Sequence, residues 1–310
     1  MSTQSAVARA TTSPRRTISY AHRLEVAGEN PCANVLGVQV EALDMERAVS
    51  RVADTLRSGR KGYVCAIGVH SVMEAQHDAE LAAAFAGAAV AVPDGMPMVW
   101  VGRLQGHDRM ERVAGPDLML EVFRRAEFAG CRHFLYGGNE GIADQLAAAL
   151  QSRFPTSQIV GTYTPPFRDL QEKEEEELIA QVENCKPDIF WVGISTPKQE
   201  KFMRSSLPRL NTRLMFGVGA AFDFHTGRIQ DSPLWVKQAG LQWLHRVIQE
   251  PRRLLWRYLR NNPLFLWRIS LQLSGLRTYM PMPVPIDGGR CNSTANLSKV
   301  NTAAHEYEAN

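Results

Sequence analysis

The segment DIFWVGISTPKQEKFM, residues 188–203, contains the structural unit that decides the fold. Its first half is an apolar run, rich in aromatic and β-branched residues, that ends near Gly193 and is typical of a buried strand. Pro197 then marks the start of a helix, for which Thr196 is the expected N-cap and Gln199 the third helical residue. A buried strand followed directly by a helix predicts a parallel β-α-β arrangement.

The same alternation extends through most of the chain. Strands are predicted at the start of 34–43 and within 61–70, 89–95, 131–138, 158–164, 188–195 and 213–223, and helices within 44–59, 71–88, 115–130, 139–155, 169–187 and 197–210. This pattern predicts an α/β fold with a mostly parallel, Rossmann-like sheet covered by helices. Ligands of such sheets bind at the carboxyl ends of the strands.

The composition is that of an ordinary globular protein. The chain has 310 residues, of which 45% are hydrophobic and 22% charged, with a net charge of +3. A chain of this length buries a substantial core without needing disulfides or bound metals. Its five cysteines are scattered and contain no CxxC pair. We therefore predict neither a disulfide framework nor a zinc site, and expect buried thiols in a reducing cytoplasm.

Both ends of the chain differ from its middle. Residues 1–31 are rich in Ser, Thr, Ala and Arg and lack an apolar h-region, which predicts a disordered arm rather than a secretory signal. Residues 281–310 are rich in Pro, Gly and Asn, and we expect a second disordered tail. No apolar run reaches the length of about 18 residues that a transmembrane helix needs. The α/β core is expected to span residues 32–231.

Glycine and polar residues gather where the predicted strands end. They are Gly68 and His70, Asp94 and Gly95, Gly137 and Gly138, Gly193 and Ser195, and Gly219 and Asp223. The carboxyl ends of parallel strands share one edge of a sheet, so these residues are expected to lie near one another. The pattern is typical of a phosphate-bearing ligand that lies against backbone N–H groups.

Each of these residues also has an ordinary structural explanation. The sequence PDG at 93–95 is good turn chemistry, and glycine pairs before helices are often tight turns. A lone His70 is often a satisfied structural histidine, and Asp223 fits a buried carboxylate that holds a loop. The chain has no GxxxxGK[ST] and no GxGxxG with a ribose-binding acid, which argues against P-loop and dinucleotide sites.

Residues 232–280 have a more basic and aromatic character than the core. They include Trp235, Trp243, Trp256 and Trp267, four of the six tryptophans, and the arginines Arg246, Arg252, Arg253, Arg257 and Arg260. Pro251 and Pro263 are expected to divide this region into short helices. Three interpretations remain open: an amphipathic appendage on an anionic membrane, a nucleic-acid surface, or burial of the apolar residues against the core with solvated arginines.

Six segments carry a family resemblance. They are VPDGMPMVW (92–100), ERVAGPDLM (111–119), FLYGGNEG (134–141), KPDIFWVGISTPKQEKFM (186–203), FGVGAAFDFHTGRIQDSP (216–233) and GLQWLHRVIQEPRRLLWRYL (240–259). In order and spacing, from about Asn34 to Leu271, the chain resembles the WecG/TagA/CpsF glycosyltransferases, also called glycosyltransferase family 26. The resemblance implies transfer of a sugar from a UDP-linked donor to a polyprenyl-pyrophosphate-linked saccharide during synthesis of cell-surface polysaccharides.

The resemblance also implies roles for individual residues. Asp94 corresponds to the proposed catalytic base, and Gln199 to a glutamine of the catalytic site, with Glu200 beside it in the PKQE motif. Arg112 and Asp117 lie on the shared R-V-x-G-x-D motif. These residues are therefore expected to surround the reacting sugar.

Two further positions depend on the same resemblance. Gly137 and Gly138 correspond to a glycine pair near the nucleotide. Many members have Thr-x-Asn where this chain has Ala66-Ile67-Gly68. The roles of that Thr and Asn therefore cannot be assigned here, and His70 or Ser71 is a candidate to replace part of their chemistry.

Glycosyl transfer with inversion sets two chemical requirements. A carboxylate must take the proton of the acceptor hydroxyl, and other groups must stabilise the departing diphosphate. Asp94 is expected to take the proton. The diphosphate is expected to be stabilised by the N–H groups of Gly138 and of the helix beginning at Pro197, together with Arg112. The C-terminal arginines are expected to approach the pyrophosphate. The core lacks a DxD motif, so we expect neither a metal nor another cofactor.

The expected partners follow from this interpretation. They are a UDP-sugar, a polyprenyl-pyrophosphate-linked acceptor and an anionic membrane surface, rather than nucleic acid. The protein is expected to be cytoplasmic and peripheral on the inner face of the cell membrane, and a homo-oligomer is left open. Two other classes remain as alternatives: a nucleotide-binding oxidoreductase and a non-catalytic membrane adaptor.

Overall fold

A computed structural model describes residues 31–282 of the chain, so most of the two predicted tails, 1–30 and 283–310, lies outside the described residues. This part of the chain contains eight strands. They are β1 (Cys32–Val35), β2 (Val38–Glu41), β3 (Gly62–Ile67), β4 (Val90–Pro93), β5 (Arg132–Gly137), β6 (Gln158–Tyr163), β7 (Ile189–Gly193) and β8 (Leu214–Gly217). Strands β3 to β8 form one sheet, and β1 and β2 form a separate hairpin.

Helices follow or separate nearly all of these strands. They are α1 (Met45–Arg57), α2 (Val69–Ala75), α3 (Ala79–Gly87), α4 (Met96–Leu104), α5 (Gly115–Arg124), a 3-10 turn (Ala126–Phe128), α6 (Ile142–Arg153), α7 (Glu172–Cys185), α8 (Lys198–Ser206), α9 (Ala221–His225), α10 (Leu234–Gln238), α11 (Gln242–Gln249) and α12 (Pro251–Leu273). The predicted α/β fold is confirmed.

The large sheet is entirely parallel, with strand order β4-β3-β8-β7-β5-β6. Along β7, Phe190 and Val192 belong to one hydrophobic core, whereas Ile189 and Trp191 belong to a second core on the opposite face. This alternation follows from the two-residue period of a strand. Apolar side chains therefore cover both faces of the sheet.

Three local predictions differ from the structure. The helix expected at 71–88 is two helices, because the Asp78 carboxylate accepts the Leu81 N–H at 3.0 Å and caps α3. The strand expected at 213–223 ends at Gly217, and its last residues belong to α9. Pro263 was expected to end a helix, yet it lies inside the 23-residue α12.

The helix α4 was not predicted from the sequence. Its residues are MPMVWVGRL, and the buried positions include Met98, Val99 and Val101. Because nearly every position is apolar, the segment shows no helical period that distinguishes it from a buried strand. Its existence matters for the site because α4 begins immediately after Asp94 and Gly95.

The hairpin β1–β2 anchors the C-terminal end of the described chain. Gln272 of α12 accepts the Leu36 N–H through Oε1 at 2.8 Å and donates from Nε2 to the Asn34 carbonyl at 2.7 Å. The Asn34 amide donates to the Tyr279 carbonyl at 2.8 Å. Residues 232–280 are thus hydrogen-bonded to the hairpin at their far end.

One cysteine departs from expectation. Cys32 is disulfide-bonded, although the sequence predicted no disulfide. Cys65, Cys131 and Cys185 have free thiols, and Cys65 is buried. The prediction of buried thiols is therefore confirmed for Cys65, holds only in part for the half-buried Cys131 and Cys185, and was wrong for Cys32.

Candidate functional site

A cavity of about 970 Å³ lies between the carboxyl ends of the strands and the three C-terminal helices, α10 to α12. Many of the residues selected from the sequence line it. They are Gly68, His70, Asp94, Gly95, Arg112, Asp117, Ser195, Gln199, Gly219, Arg246 and Arg257. The cavity therefore has one wall from the sheet edge and one from the C-terminal helices.

Asp94 lies where β4 ends and α4 begins. Its N–H donates to the Ile67 carbonyl at 2.8 Å, which extends the pairing of β3 and β4 past the edge of the sheet. A Cβ atom at Gly68 would lie 2.9 Å from the Asp94 carbonyl oxygen, so the two chains can approach this closely because residue 68 is glycine. Gly95 has φ +110°, a conformation that favours glycine, and turns the chain into α4.

The Asp94 carboxyl group has a raised pKa. Burial is the main cause, and the neighbouring Asp117 adds to it, while Arg112 and Arg246 oppose the shift. Among the described residues, none donates a hydrogen bond to this carboxyl group, and Asp94 lines the cavity. A carboxylate that lacks protein donors and holds its proton more tightly than usual is a stronger base than an ordinary aspartate.

Arg112 and Asp117 join the core to the C-terminal helices. Arg112 donates from Nη1 to Asp117 at 2.8 Å and from Nη2 to Gln242 of α11 at 3.1 Å. Lys237 of α10 reaches the other Asp117 oxygen at 3.5 Å and also pairs with Asp231. Asp117 therefore holds two cations, one from each wall, beside Asp94.

The side chain of Gln199 is fixed at both ends. Its Oε1 accepts the Gly219 N–H at 3.1 Å, and its Nε2 donates to Glu200 Oε1 at 2.8 Å. Glu200 is fully buried and does not line the cavity. Thr196, expected as the N-cap of α8, instead donates its hydroxyl to Glu200 at 2.9 Å. The N-cap is Pro197, without a side-chain cap, so the predicted capping arrangement was wrong.

His70 connects α2 to α12. Its Nδ1 lies 3.1 Å from Asn261 Nδ2, so a neutral ring accepts this amide hydrogen. Burial, with a smaller contribution from Arg257, lowers the pKa of His70 to about 4. His70 is consequently neutral at physiological pH and serves as a hydrogen-bond partner for the C-terminal helix.

Apolar residues also line the cavity. They include Trp100 and Leu104 of α4 and Leu255, Leu259 and Leu266 of α12. Leu104 is 71% exposed and Leu266 is 61% exposed, so this group of apolar residues reaches the protein surface. We call these five residues the apolar slot. It lines the same cavity as Asp94, Arg112, Arg246 and Arg257.

Three selected glycines do not line the cavity. The Gly138 N–H donates to the Gly193 carbonyl at 3.1 Å, so it is already engaged and not free for the expected diphosphate contact. A Cβ atom at Gly137 would lie 2.5 Å from the Gly193 carbonyl oxygen, and one at Gly193 would lie 2.3 Å from the Phe222 ring. These glycines allow close packing between neighbouring elements.

Other selected residues also lie apart from the cavity. Asp223 pairs with Arg228 at 3.6 Å, and Arg252 and Arg260 are exposed on α12 without lining the cavity. The side chain of Arg253 is outside the described part of the chain. Within α11 and α12, Arg246 and Arg257 are therefore the selected arginines that line the cavity among the side chains described.

Sequence reasoning missed several residues of the site. Trp100 and Leu104 were overlooked because α4 was not predicted. Gln242 lies in the family-like segment 240–259 but was not selected, and Asn261 lies in none of the six segments. Trp100 also lies close to the turn between α10 and α11, since a Cβ atom at Gly240 would lie 2.7 Å from its ring. The signal that points to Trp100 and Leu104 is an apolar helix beginning directly after a candidate catalytic residue.

Comparison with known proteins assigns the chain to a family. Residues 33–279 match the model of the glycosyl transferase WecG/TagA/CpsF family. The chain belongs to this family. The match covers both walls of the cavity and confirms the resemblance noted in the sequence.

A characterised relative agrees with this assignment. The chain is 26% identical over 192 residues, 62% of this chain and 72% of the relative, to the N-acetylglucosaminyldiphosphoundecaprenol N-acetyl-beta-D-mannosaminyltransferase of Bacillus subtilis (strain 168). The present chain, as a member of the same family, is a glycosyltransferase, as predicted. The alternative predictions of an oxidoreductase and of a non-catalytic adaptor are therefore not supported. Within residues 31–282, no helix combines the length and apolar character needed to cross a bilayer.

Proposed function

We propose that this glycosyltransferase moves a sugar from a UDP-linked donor to a polyprenyl-diphosphate-linked saccharide in cell-surface polysaccharide synthesis, with Asp94 as the general base. The observation that carries the proposal is the setting of Asp94. Its carboxyl group has a raised pKa and no hydrogen-bond donor among the described residues, and Asp94 lines a cavity that also contains three arginines and the partly exposed apolar slot.

The proposed reaction exchanges one bond to the anomeric carbon for another. The acceptor hydroxyl oxygen attacks this carbon while its bond to the donor diphosphate oxygen breaks, and the diphosphate leaves with the bonding electrons. Asp94 takes the hydroxyl proton. Attack opposite the leaving group inverts the anomeric configuration. A base near the operating pH is suited to this step, and such proton transfer contributes roughly 10²–10⁴-fold to rate.

Cationic side chains supply the stabilisation that the leaving diphosphate requires. Arg112, Arg246 and Arg257 all line the cavity, and each has a buried Nε–H without a hydrogen-bond partner among the described residues. A guanidinium group with unused donors is suited to phosphate oxygens. Two of the three come from α11 and α12, so the C-terminal helices supply much of the charge that the reaction needs.

The acceptor assignment is supported by the relative and by the apolar slot. The name of the B. subtilis enzyme specifies a diphosphoundecaprenol-linked acceptor. A prenyl chain is purely apolar, and the apolar slot provides matching surface between the cavity and the outside. In this proposal the diphosphate lies near the arginines and the prenyl chain leaves between α4 and α12.

Contact with an anionic membrane completes the proposal. On α12, Trp256 is 76% exposed and Trp267 is 64% exposed, and the exposed arginines Arg252 and Arg260 lie on the same helix. Exposed tryptophans combined with basic residues are typical of helices at the surface of an anionic bilayer. This contact would bring the apolar slot to the lipid that carries the acceptor at the inner face of the cell membrane.

A transfer assay tests the proposed function. The full-length protein is incubated with a polyprenyl-diphosphate-linked N-acetylglucosamine and a panel of UDP-, GDP- and dTDP-sugars, and both nucleotide release and sugar in the lipid extract are measured. We expect one UDP-sugar to label the lipid and Asp94→Asn to abolish the product. Transfer from GDP- or dTDP-sugars alone would contradict the assignment of a UDP-linked donor. Equally efficient transfer to a saccharide without lipid would contradict the assignment of a polyprenyl-diphosphate-linked acceptor.

A further inference from the structure

Glu200 is a buried carboxyl group that the proposed reaction does not use. It is fully buried, and its Oε1 accepts hydrogen bonds from the Thr196 hydroxyl and the Gln199 amide. Its Oε2 is also buried and has no hydrogen-bond partner among the described residues. Buried carboxyl groups are costly, so an arrangement with one unused oxygen calls for an explanation.

The Gln199 amide shows what the carboxyl group does. The Gly219 N–H group can only donate a hydrogen bond, so the oxygen of Gln199 must face it. The nitrogen then faces Glu200, which must accept. The two partners leave a single orientation for an amide whose two ends have nearly the same shape. One N–H of Gln199 is used by Glu200, and the second is free to serve the cavity that Gln199 lines.

We propose that Glu200 is a positioning residue that holds the Gln199 amide in the orientation that presents an N–H donor to the bound substrate. Without an acceptor at position 200, the Gln199 nitrogen loses its partner and the amide is free to turn about its last bond. Glu200 contacts no space in which a ligand lies, so it acts through Gln199. The sequence had placed Glu200 in the substrate site itself.

The charge state of Glu200 agrees with this role. Burial raises the pKa of its carboxyl group, against the opposing hydrogen bonds from Gln199 and Thr196. A neutral carboxyl group still accepts through Oε1, so the positioning role needs an acceptor and not a negative charge. A glutamine at position 200 has the same size and retains an acceptor oxygen for Gln199 and Thr196.

Two substitutions separate the acceptor from the burial of the side chain. Glu200→Leu removes the acceptor and is expected to lower kcat/KM by about 10²-fold, the scale of a misplaced catalytic contact. Glu200→Gln, which keeps an acceptor oxygen, is expected to retain most of the wild-type kcat/KM. Because Glu200 acts through Gln199, Glu200→Leu should have little further effect in a Gln199→Leu background. Equal losses in Glu200→Leu and Glu200→Gln, or additive losses with Gln199→Leu, would overturn the proposal.

Glu41 provides the control for losing a buried carboxyl group. It is also fully buried, and it accepts the Ala91 N–H at 3.0 Å, outside the cavity. Glu41→Leu is expected to lower Tm while its folded fraction keeps the kcat/KM of the parent protein, whether residue 199 is Gln or Leu. A loss of activity by Glu41→Leu that disappears with Gln199→Leu would show that the coupling is not specific to Glu200.

A second measurement does not depend on turnover, because the kinetic test rests on the proposed function. In protein labelled with ¹⁵N-glutamine, the Gln199 side-chain amide signal is identified by its loss in Gln199→Leu. We expect Glu200→Leu to shift that signal and Glu200→Gln to leave it near its wild-type position. An unshifted signal in folded Glu200→Leu would overturn the positioning role even if transfer is active. A shifted signal without transfer in wild-type protein would instead count against the proposed function alone.

Discussion

The two walls of the cavity are built on different physical principles. The sheet wall places Asp94 and Gln199 through backbone hydrogen bonds between buried strands and their connections. The helical wall places Arg246 and Arg257 through amphipathic helices whose tryptophans remain exposed. The first wall is the edge of the central sheet, and the second is attached to the core through buried residues of α12 such as Leu254, Phe265 and Ile269. The difference suggests that the sheet wall performs the proton transfer and that the helical wall handles the lipid-linked diphosphate.

The largest expected effect lies on the sheet wall. Asp94→Asn removes the base without changing the size of the side chain, and we expect kcat/KM for sugar transfer to fall by roughly 10²–10⁴-fold. Donor affinity, measured by titration calorimetry, should stay near wild type. The exposed Asp108 supplies the control, because Asp108→Asn should not alter transfer. Wild-type turnover by Asp94→Asn would show that Asp94 is not the general base.

The next effect distinguishes arginines within the helical wall. Arg246→Ala and Arg257→Ala are each expected to lower kcat/KM by about 10–10²-fold, the value of a charge-assisted hydrogen bond to phosphate. Arg252→Ala and Arg260→Ala change equally charged residues of α12 that do not line the cavity. In assays with detergent-dispersed acceptor, these two variants should match the wild type. Equal losses in all four variants would mean that total charge matters and not position in the cavity.

A smaller effect is expected at the membrane. Replacing both Trp256 and Trp267 by Ala should weaken binding to vesicles that contain anionic lipid by about tenfold or more, since a large apolar side chain contributes about 1.5–3 kcal/mol when buried. Co-sedimentation measures this binding. Phe167→Ala removes an exposed aromatic residue between β6 and α7 and should leave binding unchanged. Equal weakening by the double tryptophan substitution and by Phe167→Ala would show that the tryptophans of α12 are not a specific membrane contact.

The smallest effect is a change in stability with pH. The pKa of Asp94 is raised in the folded protein, so the folded state holds the proton more tightly than the unfolded state. Its contribution is therefore most favourable below the ordinary aspartate pKa and is lost as pH rises through the folded value. Asp94→Asn, which stays neutral, should raise Tm at neutral pH by more than at pH 4. A lower Tm for this variant at neutral pH would show that the arginines outweigh burial.

The same Asp94 pKa predicts the pH dependence of transfer. The acid limb of kcat/KM should lie above the pH at which an ordinary aspartate titrates, because the base must be ionised. Initial rates of UDP release across the pH range, with a check that the protein stays folded, measure this limb. An acid limb at the ordinary aspartate value would separate Asp94 from the rate-limiting proton transfer.

Much of the sheet wall was predictable from the sequence, and much of the helical wall was not. Asp94, Gly68 and Gln199 follow buried strands, and the edge rule for parallel sheets brings them together. The rule does not say which glycines face the ligand, and Gly137, Gly138 and Gly193 turned out to pack against neighbouring chain. Selecting Arg246 and Arg257 over Arg252 and Arg260 required knowledge of how α11 and α12 dock.

Continuity of α12 through Pro263 was also beyond the sequence. A proline inside a helix removes one backbone hydrogen bond, and the penalty normally ends the helix. Here Phe265 and Ile269 lie buried beyond Pro263, and Gln272 holds the hairpin. Tertiary packing outweighs the local preference, and such packing depends on residues far apart in the sequence.

The bonds between Gln272 and the hairpin bear on how the two walls can be separated. Deleting everything after residue 231 would leave the Leu36 N–H without its acceptor and would uncover apolar surface that Phe265 and Ile269 now cover. A shortened protein would therefore be prone to aggregate for reasons unrelated to lipid. Point substitutions on the outer face of α12 dissect membrane attachment more cleanly than truncation does.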